Sequence, residues 1–170
     1  MSRVRALAST NRTSVLPDRF ERLLAWGAAL LAAMVVVALV RGAGRWSEMP
    51  ALVWLHLLTV TAALVLTPVQ LLRRRGGALH RRLGWVWAVS LYATAIASFW
   101  IRGINGGGLS FIHIFSAIVL IAVPVLVWSA RSGRIGRHRR AARGLVTGAL
   151  LTAGYFTLLP DRLLGHWLFG

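Results

Sequence analysis

Four histidines in this chain are spaced by a rule. His56 and His113 stand 57 positions apart, His80 and His138 stand 58 apart, and the gaps inside each half are 24 and 25. A neutral imidazole ligates a metal through one ring nitrogen while the other holds the ring by a hydrogen bond. Two such rings facing each other at one height supply the axial ligands of a six-coordinate b-type haem. The spacing therefore nominates His56 with His113, and His80 with His138, as two pairs of haem iron ligands. A porphyrin also needs room beside each ligand. Gly84 follows His80 by one turn, Ser116 and Ala117 follow His113, and Ala141 and Ala142 follow His138; His56 is the crowded case, with Thr59 and Val60 on its face. Plainer roles compete with this one. A histidine among arginines ordinarily belongs to a solvated basic loop whose neighbours bind lipid phosphates, and His56 and His113 serve equally well as hydrogen-bonded structural residues. A histidine-only metal site is a further alternative. His166 has no mate in the repeat and is assigned to the membrane interface.

Other polar groups fall near these histidines. Gln70 is placed to bond a haem propionate or a quinone carbonyl, although such a residue more often caps a helix or meets headgroups. Arg81, Arg82, Arg139 and Arg140 can neutralise propionates, and retention of positive loops in the cytoplasm explains them as well. Asp18, Glu21, Glu48 and Asp161 are the whole acidic complement and are all placed in loops. That placement disfavours metal-dependent hydrolysis and carboxylate-driven proton transport. The glycine run after Arg102 lacks the strand and the Lys and Ser companions of a phosphate loop. With no cysteine and no lysine, thiolate and Schiff-base chemistry are excluded.

What must hold these groups is a set of membrane helices. Of the 170 residues 57% are hydrophobic and only 14% charged, and 20 basic residues oppose four acidic ones for a net charge of +16. A soluble domain is about 45–50% apolar and roughly a quarter charged. A nucleic-acid binder would carry its charge along folded elements, whereas here it lies between long neutral runs, so that partner is excluded. A bilayer core of about 30 Å takes about 20 apolar helical residues, and five stretches qualify: residues 23–40, 49–72, 83–101, 103–130 and 144–160. Residues 103–108 of the fourth read as a glycine-rich turn, with helix starting near Leu109. The short fifth stretch recruits Ala141 and Ala142 while Arg143 snorkels to the interface. Residues 161–170 read as an interfacial segment carrying Trp167 and Phe169. Most of the other tryptophans lie near span ends, as an interfacial belt requires.

Sixteen arginines fall in the N-terminal segment and the second and fourth loops, against Arg41, Arg45, Arg102 and Arg162 on the other side. Positive loops stay in the cytoplasm, so the N-terminus is expected there and the C-terminus in the periplasm or outside, in a bacterial inner membrane. Residues 1–22 are a basic cytoplasmic segment that resembles a transit peptide in composition, and residues 23–40 read as an uncleaved anchor. The HRR pair, HRRLG at His80 and HRRAARG at His138, marks a duplicated two-helix hairpin, and Pro68 and Pro124, 56 apart, extend the repeat to helix kinks. The expected fold is all-α, with five transmembrane helices: a peripheral first helix and, over residues 49–160, an up-down-up-down four-helix bundle of two repeated hairpins. Counted along the helices, His56 lies about 7 Å and His113 about 6 Å below the outer surface.

HRRLGWVW and the HRRAARG segment, with His56 and the PVQ at Pro68 to Gln70 upstream, resemble a bacterial family of predicted integral membrane proteins, domain of unknown function 2306. The likeness runs from about His56 to the C-terminus, with Trp87 standing where that pattern has tyrosine. In arrangement the histidines are also similar to those of two-haem transmembrane cytochromes b, in which alternate helices pair their ligands. This similarity implies electron transfer across the membrane through one or two haem b groups, exchanging electrons with a quinone or a redox partner protein. The alternative expectation is a cofactor-free membrane subunit or assembly factor of a larger complex.

Overall fold

The computed structural model describes residues 16–102 and 107–170. Residues 1–15 of the basic N-terminal segment, with Arg3, Arg5 and Arg12, and residues 103–106 of the glycine-rich turn lie outside the described residues. The described residues are helical, with no strand among them. Helix α1 is Arg19–Arg41, α2 Ala51–Leu72, α3 Ala78–Ser98 and α4 Ile112–Arg131. Helix α5, Ile135–Gly144, runs on through a π-helical stretch, Leu145–Thr152, into α6, Ala153–Thr157; α7 is Leu163–Phe169. By length and composition α1, α2 and α4 can each cross a membrane. Helix α3 and the α5–α6 run open on arginine-rich turns that lower their mean hydropathy. Pro68 and Pro124 lie inside α2 and α4 as expected, each removing one backbone hydrogen bond from its helix.

Local chemistry sets the helix ends. Asp18 and Glu21 form a reciprocal capping box at the start of α1, the Asp18 carboxylate accepting from the Glu21 N–H at 2.9 Å and the Glu21 carboxylate from the Asp18 N–H at 3.1 Å. Such a box satisfies two backbone donors that the helix cannot. Gly76 and Gly133, with φ of 83° and 66°, turn the chain between α2 and α3 and between α4 and α5. Those values lie where a side chain would be strained.

Each long helix packs against the next in sequence, and the π-helical stretch packs back against α1, so the five long segments close into a ring. The first helix, expected to be peripheral, packs against both the second helix and the last long segment. The π-helical stretch also touches α2, as a four-helix bundle requires, while packing more extensively on α1. The cause is legible in its packed face: Leu24, Ala28, Leu31, Val35 and Ala38 recur at helical spacing, with Ala25 and Ala32 beside them, and all are buried. Small residues let helix backbones approach closely where lipid gives no hydrophobic drive to association. Gly154 continues this contact, because a Cβ there would fall 2.4 Å from the Leu31 side chain.

The C-terminal segment is also better anchored than expected. Trp167 is buried against the end of α1, where a Cβ on Gly42 would lie 2.2 Å from its ring, and Arg41 donates to the Leu168 carbonyl at 2.8 Å. Phe169 and His166 are exposed.

Candidate functional site

The arginine-rich end of the ring is organised around a carboxylate. Glu21, in the turn before the apolar stretch of α1, is 1% exposed. It accepts from Arg75 of the α2–α3 loop at 2.5 Å, from Arg139 at 2.6 and 2.7 Å, and from Arg143 at 3.2 Å. Arg139 and Arg143 stand four residues apart on α5, which puts both on one face. Asp18 adds a second carboxylate, paired with Arg143 and, at 3.2 Å, with Arg139. Partial burial raises the Asp18 carboxyl, but the Glu21 N–H and the Arg143 guanidinium outweigh it and hold the group below its ordinary value. Arg139 is held above the usual arginine value, chiefly by its bonds to Glu21. Three segments distant in sequence are thus tied by one charged knot. The placement of Glu21 in a loop is corrected here: it is a helical residue and the hub of this end. The capping-box pattern of an acid three residues after Asp18 was the available signal, and net-charge counting hides it.

His80 and His138 stand beside this knot. The carbonyl of His80 accepts from Gln70 Nε2 at 3.1 Å. The space at Gly84, expected to clear a porphyrin, borders the Gln70 amide, since a Cβ there would come within 3.3 Å of Nε2. Two buried atoms here have no partner among the described residues, His80 Nδ1 and Gln70 Oε1. Burial first, and then the proximity of His138 and Arg75, hold the His80 imidazole below its ordinary value. His138 donates from Nδ1 to the Leu126 carbonyl at 3.1 Å, so in this tautomer the lone pair sits on Nε2. Arg81 is turned away to the Gly76 carbonyl at 2.7 Å, Arg82 and Arg140 are exposed, and Arg139 is committed to the carboxylates.

At the opposite end the two histidines bond to uncharged groups. His56 donates from Nδ1 to the Thr94 carbonyl at 3.2 Å. His113, 7% exposed, uses both ring nitrogens: Nδ1 accepts the Ser110 N–H at 2.9 Å and Nε2 donates to the Ser98 carbonyl at 3.1 Å. The Ser98 and Ser116 hydroxyls meet at 2.5 Å, and the Thr94 hydroxyl lies 2.7 Å from that of Thr59. Both histidines are therefore fastened to the α3 backbone one turn apart. Ser90, Thr94 and Ser98, spaced by four, form the polar edge of α3 that receives them; that spacing is the sequence signal for this edge.

Iron needs a nitrogen lone pair from each axial histidine. His113 has none to offer in this arrangement, so the outer pair does not fit a bis-histidine haem. At the inner pair His138 Nε2 is chemically suited and His80 retains an unpartnered nitrogen. Among the described residues no group of three or more His, Asp or Glu side chains gathers to hold a metal ion. No protein-family model, curated protein or solved structure matches the chain.

Proposed function

We propose that this chain is a five-span integral membrane protein of a bacterial inner membrane, with its arginine-rich end in the cytoplasm, acting as a cofactor-free subunit or assembly factor of a larger membrane complex. The commitment of both His113 ring nitrogens to backbone carries this reading, because it makes the outer histidines clamps between helices. The HRR repeat and its resemblance to the domain of unknown function 2306 family agree with a membrane role and supply no reaction. The test is a dithionite-reduced minus oxidised absorbance spectrum of the detergent-purified protein expressed with haem in excess. A flat spectrum is expected; a sharp α-band removed by both His56→Ala and His113→Ala would overturn the proposal.

One observation favours a second reading, a single haem b at the cytoplasmic end. His80 Nδ1 and Gln70 Oε1 are buried without partners, and unsatisfied buried polar atoms call for a ligand or water. His80 and His138 would hold the iron, Gln70 would meet a propionate or a quinone carbonyl through the amide hydrogen that the His80 carbonyl does not take, and the haem would supply one-electron transfer. That reading requires an α-band lost in His80→Ala and in His138→Ala but retained in His113→Ala.

A further inference from the structure

An apolar groove runs between α3 and α4, lined by Trp85, Val89 and Tyr92 on one side and Val123, Pro124 and Val127 on the other, and no polar atom lines it. Its α3 wall reaches from Trp85 to Ile96, about 16 Å at 1.5 Å per residue. Both walls lead to arginine at the same end. Arg82 precedes Trp85 by three residues and Val89 by seven, which continues the α3 stripe, and Arg131 follows Val127 by four on α4. Both arginines are exposed, and neither has a carboxylate partner among the described residues. The four acidic residues stand elsewhere: Asp18 and Glu21 in the charged knot, Glu48 just before α2 and Asp161 just before α7. Next to Arg131, Trp128 carries the guanidinium groups of Arg134 and Arg137 at 4.5 and 5.2 Å from its ring centroid, so the positive charge at this mouth is concentrated.

We propose that this groove is a binding site for an anionic phospholipid, with one acyl chain along the α3–α4 groove and the phosphate between Arg82 and Arg131. The occupant follows from the chemistry of the two ends. A channel without polar atoms takes a hydrocarbon chain, and two uncompensated guanidinium groups at its mouth take a phosphate that carries net negative charge. A zwitterionic headgroup brings its own cation into the same space and loses that attraction. The site rests on the membrane reading above and adds to it a chemical preference that a merely lipid-facing surface lacks.

Trp85 reports on the groove directly. The full chain is reconstituted in lipid nanodiscs containing increasing fractions of phosphatidylglycerol or phosphatidylcholine brominated on the acyl chain, and the Trp85 signal is taken as the difference between wild type and Trp85→Phe. Half-quenching is expected at a brominated phosphatidylglycerol fraction on the order of tenfold lower than for brominated phosphatidylcholine. The Arg82→Gln, Arg131→Gln pair should bring the two lipids to the same value, with the helical circular dichroism unchanged. Ala93→Phe, which fills the groove, should weaken quenching by both lipids. Equal quenching of the wild type by the two lipids overturns the site while leaving the membrane reading intact. Absence of quenching by either removes both.

Discussion

The two ends of the ring hold their helices by opposite means. At one end Glu21 gathers Arg75, Arg139 and Arg143, and ionised groups from α1, α5 and a loop satisfy one another. At the other, His56, His113 and a row of hydroxyls bond to the backbone of α3. The four histidines look equivalent in the sequence and are not. His113 is closed off by Ser98 and Ser110, whereas His80 keeps a buried nitrogen without a partner. Equal spacing places rings at equal heights, but the neighbouring carbonyls and N–H groups decide whether a ring is free to ligate.

Breaking the charged end should cost the most. Glu21→Ala leaves three partly buried guanidinium groups facing one another, and loss of one partner of a buried ion pair costs about 3–5 kcal/mol. We expect the largest fall in thermal midpoint of any substitution considered, read by circular dichroism in detergent; a change no larger than that of His113→Ala would erase the contrast between the ends. His113→Ala removes two hydrogen bonds, at a cost of about 2 kcal/mol. His56→Ala, with one bond and a half-buried ring, should cost about 1 kcal/mol, and the order of these two histidines in melting experiments sharpens the comparison. The smallest effect is on pH. Because the Asp18 pKa is lowered on folding, its contribution is present above its ordinary value of 3.8 and is lost as pH falls below it. Asp18→Asn should flatten that part of a melting-midpoint profile, and an unchanged profile would show that the exposed Asp18 adds nothing to the knot.

Much of the fold is legible in the sequence because membrane helices announce themselves by apolar length. All five expected stretches contain long helix. Their ends differ because ionised residues end an apolar run without ending a helix. Arg19 to Arg22 open α1, the HRR at His80 lies within α3, and α5 starts at Ile135, nine residues before the expected stretch. The place of α1 in the ring was not legible from the repeat, which has no copy of it; its packing on the π-helical stretch, with Leu151 beside Gly27, decides it. That stretch has no signature in residues 145–152. The polar sites divide in the same way. Histidine heights follow from counting, while the tautomers depend on Ser110, Ser98 and Leu126, residues whose backbone groups no motif flags. Glu21 is the instructive miss, since burial turned a residue counted as loop charge into the centre of the most connected cluster.

Ring closure has a consequence for biosynthesis. Glu21 emerges from the ribosome long before Arg139, which lies 118 residues further along the chain. Throughout that interval Arg75 is the earliest of its three partners to arrive, and the carboxylate of the first helix is incompletely neutralised. Assembly therefore finishes only with the last long helix, and a ribosome stalled before Ile135 leaves an unfinished product with its acidic hub exposed to quality control.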